Sequence, residues 1–219
     1  MYNKQVLAFE MNALFFNTYC IPPSSNEHIA GIVNYISQRV YYDDDLDVIA
    51  LAEVFNNSRG LFTKLIKTNE RLKDFDIYEK RGSSSMLDNG LMMLVRNCVA
   101  TNEFFTPFKR SYSIDALSEK GFLTLKIDKV CETGRSGYVL AVTHLQNAEV
   151  LFCTQKGTAV VADQLRQLMN HVLILSKTTG RIPIVLGDFN IEPSRLVDIL
   201  PPFHNDFKIV APFFGTTKD

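Results

Sequence analysis

Asp188 and Asn190 follow a strand-like apolar run in the stretch PIVLGDFNIE, which spans residues 183–192. They are two positions apart, and side chains at that spacing face the same side of an extended chain. Phe189, which lies between them, is expected to point back into the core. The spacing therefore predicts that one carboxylate and one carboxamide are aimed at a shared site.

Three other apolar runs also end in a polar residue: Asn12 ends the first predicted strand, Glu53 ends VIALAE, and His144 ends YVLAVTH. In an α/β fold, strand ends that meet at one edge form a cleft, and catalytic groups there come from separate strands. Carboxylates are hard oxygen ligands for Mg²⁺, amides can hold a phosphoryl oxygen, and histidine can donate a hydrogen bond or a proton to phosphate. Together these residues predict metal-assisted phosphoester hydrolysis.

Each of these residues also has a purely structural interpretation. Asn12, Asp188 and Asn190 are compatible with turns after strands, because Asn and Gly-Asp are common turn residues. A single Glu53 after an apolar run is compatible with a solvated strand end. His144 is compatible with a core histidine whose ring is capped by the backbone.

Strands and helices alternate along the chain and must bring these residues together. The first predicted helix opens with a capping box of Ser24 and Glu27, and two more are predicted over about 57–72 and 160–177. The predicted strands are QVLAFEM, DLDVIALAEVF, FDIYEK, GLMMLVR, VATNEFFTPF, FLTLKIDKV, YVLAVTH and IPIVLG, and RGSSSMLDNG is predicted to be a surface loop. The alternation predicts an α/β fold.

Length and charge limit the classes of function. A chain of 219 residues with 46% hydrophobic content can bury a sizeable core, and we predict a single domain over 1–219. Its formal net charge of -1 provides no overall basic field for nonspecific binding to nucleic acid. Nucleic acid is therefore the less favoured partner.

The cysteines and the start of the chain carry information about its environment. Cys20, Cys98, Cys131 and Cys153 are widely spaced without a CxxC pair, which predicts free buried thiols. The start, MYNKQVLAFEMN, lacks a cleavage site of small residues, and no apolar run is long enough to cross a membrane. These features do not determine the cellular compartment, and the cytoplasm is the default prediction.

Several of these motifs together resemble the endonuclease/exonuclease/phosphatase superfamily of Mg²⁺-dependent phosphohydrolases. LGDFN, preceded by LAEVF and VTHL, matches that superfamily in order and spacing from about residue 5 to 195. AEVFN, THLQN, QLRQL and SEKGFLTLKI, which contains Lys120 and Gly121, resemble the neutral sphingomyelinase branch in particular. The resemblance implies a four-layer α/β sandwich, with two mixed sheets face to face and helices outside.

The resemblance also implies a role for each candidate residue. Glu53 would ligate Mg²⁺ or another hard divalent cation such as Mn²⁺, and Asn12 would support the metal and phosphate site. His144 would hydrogen-bond the phosphoryl group near the leaving oxygen. Asp188 would orient the attacking water or a partner histidine, and Asn190 would hold a phosphate oxygen.

The implied activity is hydrolysis of sphingomyelin or a related phospholipid to phosphocholine, with peripheral contact to a membrane. Two alternatives stay open: a nuclease of the same superfamily that acts on abasic sites or DNA 3′ ends, and a non-catalytic relative. The nuclease is disfavoured because its usual QE element is absent and the charge balance is neutral.

The end of the chain departs from the superfamily pattern. Members continue through an aromatic-Asp element and end in a strand that carries SDH, whereas this chain ends at FFGTTKD. His204 follows Asn190 too soon to take the place of that histidine. We therefore expect the chain as printed to lack the last strands of the fold, which leaves its own activity open.

Overall fold

Two mixed four-stranded sheets form the centre of the computed structural model, which describes residues 11–80, 87–111, 118–131, 134–147, 154–191, 203 and 207. The strands in these ranges are β1 (Ala13–Cys20), β2 (Val48–Val54), β3 (Asp76–Tyr78), β4 (Met92–Val95), β5 (Cys98–Pro107), β6 (Gly121–Cys131), β7 (Gly134–His144) and β8 (Ile182–Asp188). The helices are α1 (Asn26–Tyr42), α2 (Asn56–Thr68) and α3 (Thr154–Thr179).

Each sheet contains one parallel pair of strands. The first sheet has the order β1-β2-β4-β3, with β1 parallel to β2, and the second has the order β5-β6-β7-β8, with β7 parallel to β8. Parallel neighbours need a crossover connection, which α1 supplies in the first sheet and α3 in the second. The remaining neighbours are antiparallel.

Three apolar clusters fill the spaces between the layers and hold the layers together. One lies between the sheets and joins residues such as Ala50 to Leu125 and Leu140. A second packs α1 and α2 on the outer face of the first sheet, and a third packs α3 on the outer face of the second. The order is helix, sheet, sheet, helix, which confirms the predicted four-layer α/β sandwich.

The first strand was placed too early by the sequence pattern. The predicted strand QVLAFEM falls mostly on residues outside the described ranges, and β1 begins at Ala13. The prediction that Asn12 ends the first strand is wrong. The backbone oxygen of Asn12 accepts hydrogen bonds from the amides of Asp47 (2.9 Å) and Val48 (3.1 Å), so Asn12 lies where the β1–β2 pair begins.

The helix boundaries also differ in detail. Ser25, and not Ser24, is the N-cap of α1: its side chain accepts a hydrogen bond from the His28 amide at 3.1 Å. One apolar stripe of α1 is buried, with Ile29 and Ile36 among its members. The helix α2 ends four residues before the predicted limit of 72, and α3 extends beyond both predicted ends. Residues 81–86 of the predicted loop lie outside the described ranges.

A buried ion pair supports the segment that follows β2. The Arg59 guanidinium, on α2, lies 2.9 Å from Asp88 Oδ2 and 3.1 Å from Glu79 Oε2. It also donates to the Leu91 backbone oxygen at 3.2 Å. Gly90, between Asp88 and Leu91, accepts a hydrogen bond from the Val54 amide at 2.9 Å. The pair thus ties α2 to the loop that holds the end of β2.

Neither described cysteine forms a disulfide, but only one of them is buried as predicted. Cys20 is buried and Cys98 is half-buried. The side chains of Cys131 and Cys153 lie outside the described residues. Within the described ranges, no helix combines the length and the apolar character that a membrane crossing requires.

Candidate active site

The carboxyl ends of the two parallel pairs, β1–β2 and β7–β8, meet at one edge of the sandwich. Asn17 and Glu53 come from β1 and β2 of the first sheet. His144 and Asp188 are the last residues of β7 and β8, and they are register partners in the second sheet. Side-chain contacts join the two pairs across the interface, so the site draws on both sheets.

Asn17 connects the two carboxylates of the site. Its side-chain nitrogen donates to Glu53 Oε1 at 3.2 Å and to Asp188 Oδ2 at 3.1 Å. Its side-chain oxygen accepts from the Tyr19 amide at 3.1 Å. Phe15, two residues earlier, packs in the cluster between the sheets, so strand alternation directs Asn17 toward the second sheet.

Glu53 reaches the site because the regular alternation of side chains between the two faces of β2 is interrupted at this residue. Ala52 packs between the sheets, yet Val54, two residues later, packs under the helices. Glu53 adopts a left-handed backbone with φ 62°, which is rare for a residue with a Cβ and strains the chain. This local turn places a buried carboxylate next to the second sheet instead of below α1 and α2.

His144 lies between Glu53 and Lys120. Its Nε2 is 3.6 Å from Glu53 Oε1, and its Nδ1 is 3.3 Å from Lys120 Nζ. Leu140 and Val142 on the same strand pack between the sheets, so the spacing of two explains why His144 faces that side. The imidazole therefore takes part in polar contacts at the cleft and is not simply a core histidine.

Asp188 and Asn190 form one hydrogen-bonded turn. Asp188 Oδ1 accepts from the Asn190 amide at 3.0 Å, and the Asn190 side chain donates to the Leu145 backbone oxygen at 2.8 Å. Asn190 has a left-handed backbone with φ 48°. Phe189 packs against the cluster under α3, as the alternation predicted.

Gly187 is required for this turn to lie against β7. A Cβ at Gly187 would be 2.5 Å from the backbone oxygen of Thr143 and 2.7 Å from its side-chain methyl. Only a residue without a side chain lets β8 approach so closely. The glycine of the LGDFN motif therefore has a packing role in placing Asp188.

Asn12 does not join the other predicted residues. Its side chain donates to the Asp45 backbone oxygen at 3.3 Å, and its backbone amide donates to Asp47 Oδ2 at 2.9 Å. Glu53 is six residues beyond Asp47 along β2, which is about 20 Å in a strand. Asn12 therefore lies at the opposite edge of the sandwich, and Asn17 is the asparagine that reaches the site.

Lys120 is a further residue at the site whose position the sequence patterns do not predict, since it enters the sequence analysis only through the family resemblance. Lys120 precedes β6 and is 7% exposed. The sequence does contain an indication for Asn17, because Asn17 follows the apolar run ALFF in the same way that Asp188 follows IPIVLG. For Lys120, no local pattern indicates burial, because the approach of other strands creates it.

Cys20 lies near the site but is not suited to act as a nucleophile. Burial raises the pKa of the Cys20 thiol, and the charge of Glu53 adds to the rise. The thiol form is therefore the stable one at neutral pH, whereas nucleophilic attack needs the thiolate.

The donor set fits a hydrated divalent cation. Among the described residues, no three His, Cys, Asp or Glu side chains gather as a complete metal site. Mg²⁺ commonly keeps several waters and binds through one or two carboxylates. Glu53 supplies a hard oxygen ligand of this kind, and Asn17 holds Asp188 beside it.

Comparison with known proteins identifies relatives of this chain and of its fold. A sequence model described as the Endonuclease/Exonuclease/phosphatase family matches residues 14–204. The fold is similar to that of SmcL, with a TM-score of 0.70 and 19% identity over 87% of this chain and 67% of that one. No curated protein sequence gives a significant match.

Two further solved structures have a similar fold. Sphingomyelinase C from Streptomyces griseocarneus gives a TM-score of 0.64 and 18% identity over 87% of this chain and 68% of that one. Beta toxin from Staphylococcus aureus, as an F277A, P278A mutant with bound magnesium ions, gives 0.65 and 18% over 86% of this chain and 68% of that one. Identities this low show a shared fold and leave the substrate open.

Proposed function

The chain belongs to the Endonuclease/Exonuclease/phosphatase family, and from that premise we propose that it is a divalent-metal-dependent phosphodiesterase that acts on sphingomyelin or a related phospholipid. The observation that carries the proposal is the side chain of Asn17, which hydrogen-bonds Glu53 and Asp188 where the two sheets meet. Two carboxylates, an imidazole and the Asn17 amide then surround one cleft, and Asn190 follows Asp188 in the adjoining turn. That combination suits the hydrolysis of a phosphodiester.

Each residue of the site has a role in the proposed reaction. Glu53 would hold the cation, and Asp188 would orient the attacking water. The water oxygen forms a bond to phosphorus, the bond between phosphorus and the lipid alcohol oxygen breaks, and the proton that the attacking water loses balances the proton that the departing oxygen takes up. His144 hydrogen-bonds the phosphoryl group near the departing oxygen, and Asn190 holds another phosphoryl oxygen.

Electrostatic stabilisation is the main contribution that this site can make. Negative charge develops on the phosphoryl oxygens, and oriented donors in a buried cleft stabilise it more than water does. A bound Mg²⁺ or Mn²⁺ supplies positive charge for the same purpose. Loss of one oriented donor typically lowers the rate on the order of 10²–10³-fold.

A lipid substrate is supported by the motifs and by the rim of the cleft. AEVFN and THLQN resemble the sphingomyelinase branch, and the fold is similar to that of a sphingomyelinase C. Tyr19, two residues beyond Asn17, is 71% exposed, and Ile21 is 48% exposed. An exposed tyrosine can contact the quaternary ammonium of choline, and both residues suit peripheral contact with a bilayer.

The test is release of phosphocholine from sphingomyelin vesicles, with Mg²⁺ and with EDTA. We expect turnover that EDTA abolishes and that Glu53→Ala and Asp188→Ala reduce at least 10²-fold. Circular dichroism of each variant establishes that it is folded. Absence of turnover by the folded wild-type chain would contradict the proposal.

A parallel assay on DNA with an abasic site separates the lipid substrate from the nuclease alternative. Metal-dependent DNA cleavage without phosphocholine release would support the proposed active site but identify DNA, and not a phospholipid, as its substrate. Metal binding without turnover of either substrate would favour a non-catalytic relative.

A further inference from the structure

Lys120 is a buried cation beside the candidate site. Lysine is rarely buried to this degree without a polar partner, and Lys120 is 7% exposed. Its Nζ lies 3.3 Å from Nδ1 of His144, within hydrogen-bond distance. The contact joins the start of β6 to the end of β7.

The backbone around Lys120 is fixed on both sides. The Lys120 amide donates to the Ser118 backbone oxygen at 2.9 Å, and the Lys120 backbone oxygen accepts from the Phe108 amide at 2.9 Å. The next residue is Gly121, where a Cβ would lie only 2.4 Å from the Thr106 backbone oxygen. The approach of β5 therefore dictates where the Lys120 side chain begins.

The histidine is fixed to the same scaffold. Thr143, which precedes His144, donates through its hydroxyl to the Gly121 backbone oxygen at 2.9 Å. Lys120 and His144 thus lie beside two residues that are hydrogen-bonded to each other. Their side-chain contact is set by the two strands and does not depend on a flexible loop.

The chemistry of the contact determines which ring nitrogen carries hydrogen. An ammonium group has three donors and no acceptor, so Nδ1 of His144 must accept when Lys120 donates. In the neutral ring the hydrogen then resides on Nε2. Nε2 is the nitrogen that faces Glu53 at 3.6 Å, on the cleft side of the ring.

We propose that Lys120 is a positioning residue that holds His144 in the Nε2–H tautomer, with that hydrogen directed into the cleft. This inference rests on the proposed function for its catalytic meaning, since the Nε2–H group is the donor available to a phosphoryl oxygen. The tautomer itself can be measured without any substrate. Failure of the proposed function and failure of this inference are therefore distinguishable.

The first experiment is ¹⁵N NMR of the imidazole nitrogens in the full chain with labelled histidine. The spectrum is recorded about two pH units above the usual histidine pKa so that the ring is neutral. His144→Gln identifies the signals. We expect Nε2 to be protonated and Nδ1 to be the acceptor in the wild type.

Two variants separate the ammonium from the bulk of the side chain. Lys120→Met keeps the length and removes the donor, and it should shift His144 toward a mixture of tautomers. Lys120→Arg keeps a donor and should retain the Nε2–H form. A wild-type Nδ1–H tautomer, or an unchanged tautomer in folded Lys120→Met, would overturn the inference.

Kinetics provide the second readout. If Lys120 acts through His144, Lys120→Met should lower kcat roughly 10²-fold with little change in KM, and Lys120→Arg should restore much of the loss. A rise in KM alone would mean that Lys120 binds the substrate directly, which would also overturn the inference. If the wild type turns over no phosphodiester, the NMR result alone decides the tautomer.

Discussion

The side-chain nitrogen of Asn17 lies 3.1 Å from Oδ2 of Asp188, and the two residues belong to different sheets. The same nitrogen contacts Glu53 at 3.2 Å. One carboxamide therefore holds the two halves of the site together. The site exists only when the two sheets are packed face to face.

Asn17 and Asn12 provide a matched pair for testing the location of the site. Asn17→Ala should lower kcat/KM for phosphodiester hydrolysis roughly 10²-fold, because it removes a donor shared by two carboxylates. Asn12→Ala, at the opposite edge, should stay near the wild-type value. Steady-state assays on both folded variants check this, and equal losses would place the site elsewhere.

The buried pair of Arg59 and Asp88 should contribute strongly to stability. Asp88→Ala leaves the buried guanidinium without its closest carboxylate and should lower the free energy of unfolding by about 3–5 kcal/mol. Arg166→Ala, which breaks an exposed pair with Asp163, should lower it by only about 0–1 kcal/mol. Urea unfolding compares the two, and similar losses would contradict the assignment.

Two glycines should respond in opposite ways to the same substitution. Gly187→Ala brings a Cβ against the Thr143 backbone oxygen and should destabilise the fold by roughly 1–3 kcal/mol. Gly60→Ala, in α2 with open space around the added Cβ, should stabilise it by roughly 0.5–1 kcal/mol. Thermal unfolding of both variants is the measurement. Destabilisation by Gly60→Ala would show that its surroundings are not open.

His171 should make the fold sensitive to mild acid. Its ring packs edge-on against Phe122, with the centroids 5.0 Å apart, and burial lowers the pKa of His171 from its ordinary value of 6.5. The unfolded chain then binds more protons at this residue than the folded chain does. Its contribution is intact above pH 6.5 and is lost as pH falls below that value toward the folded pKa.

The sensitivity can be measured by urea unfolding at several pH values. His171→Leu removes the titrating group and should flatten the decline in stability below pH 6.5. The same decline in the variant and in the wild type would assign it to other residues.

The sequence predicts much of this architecture because the patterns are local. The polar residues that end the apolar runs mark Asp188 and His144 as strand-end residues without any knowledge of packing. The alternation of side chains also predicts that Phe189 points the other way. Parallel pairs joined by helices follow from the order of the elements.

The remaining features depend on contacts between distant segments. Two apolar runs adjoin near the start of the chain, and each is followed by an asparagine, so periodicity cannot choose between Asn12 and Asn17. Pairing of β1 with β2 makes that choice. The burial of Lys120 follows from the approach of neighbouring strands, and the changed alternation at Glu53 follows from a backbone angle that no local motif encodes.

The left-handed backbone at Glu53 places heat resistance and turnover in opposition. Glycine adopts this backbone without strain, whereas the Glu53 carboxylate is needed for the proposed chemistry. Random libraries selected only for survival after heating should accumulate glycine at position 53 and lose phosphodiesterase activity. Selection for both properties should instead retain Glu53 and gain its stability at sites remote from the cleft.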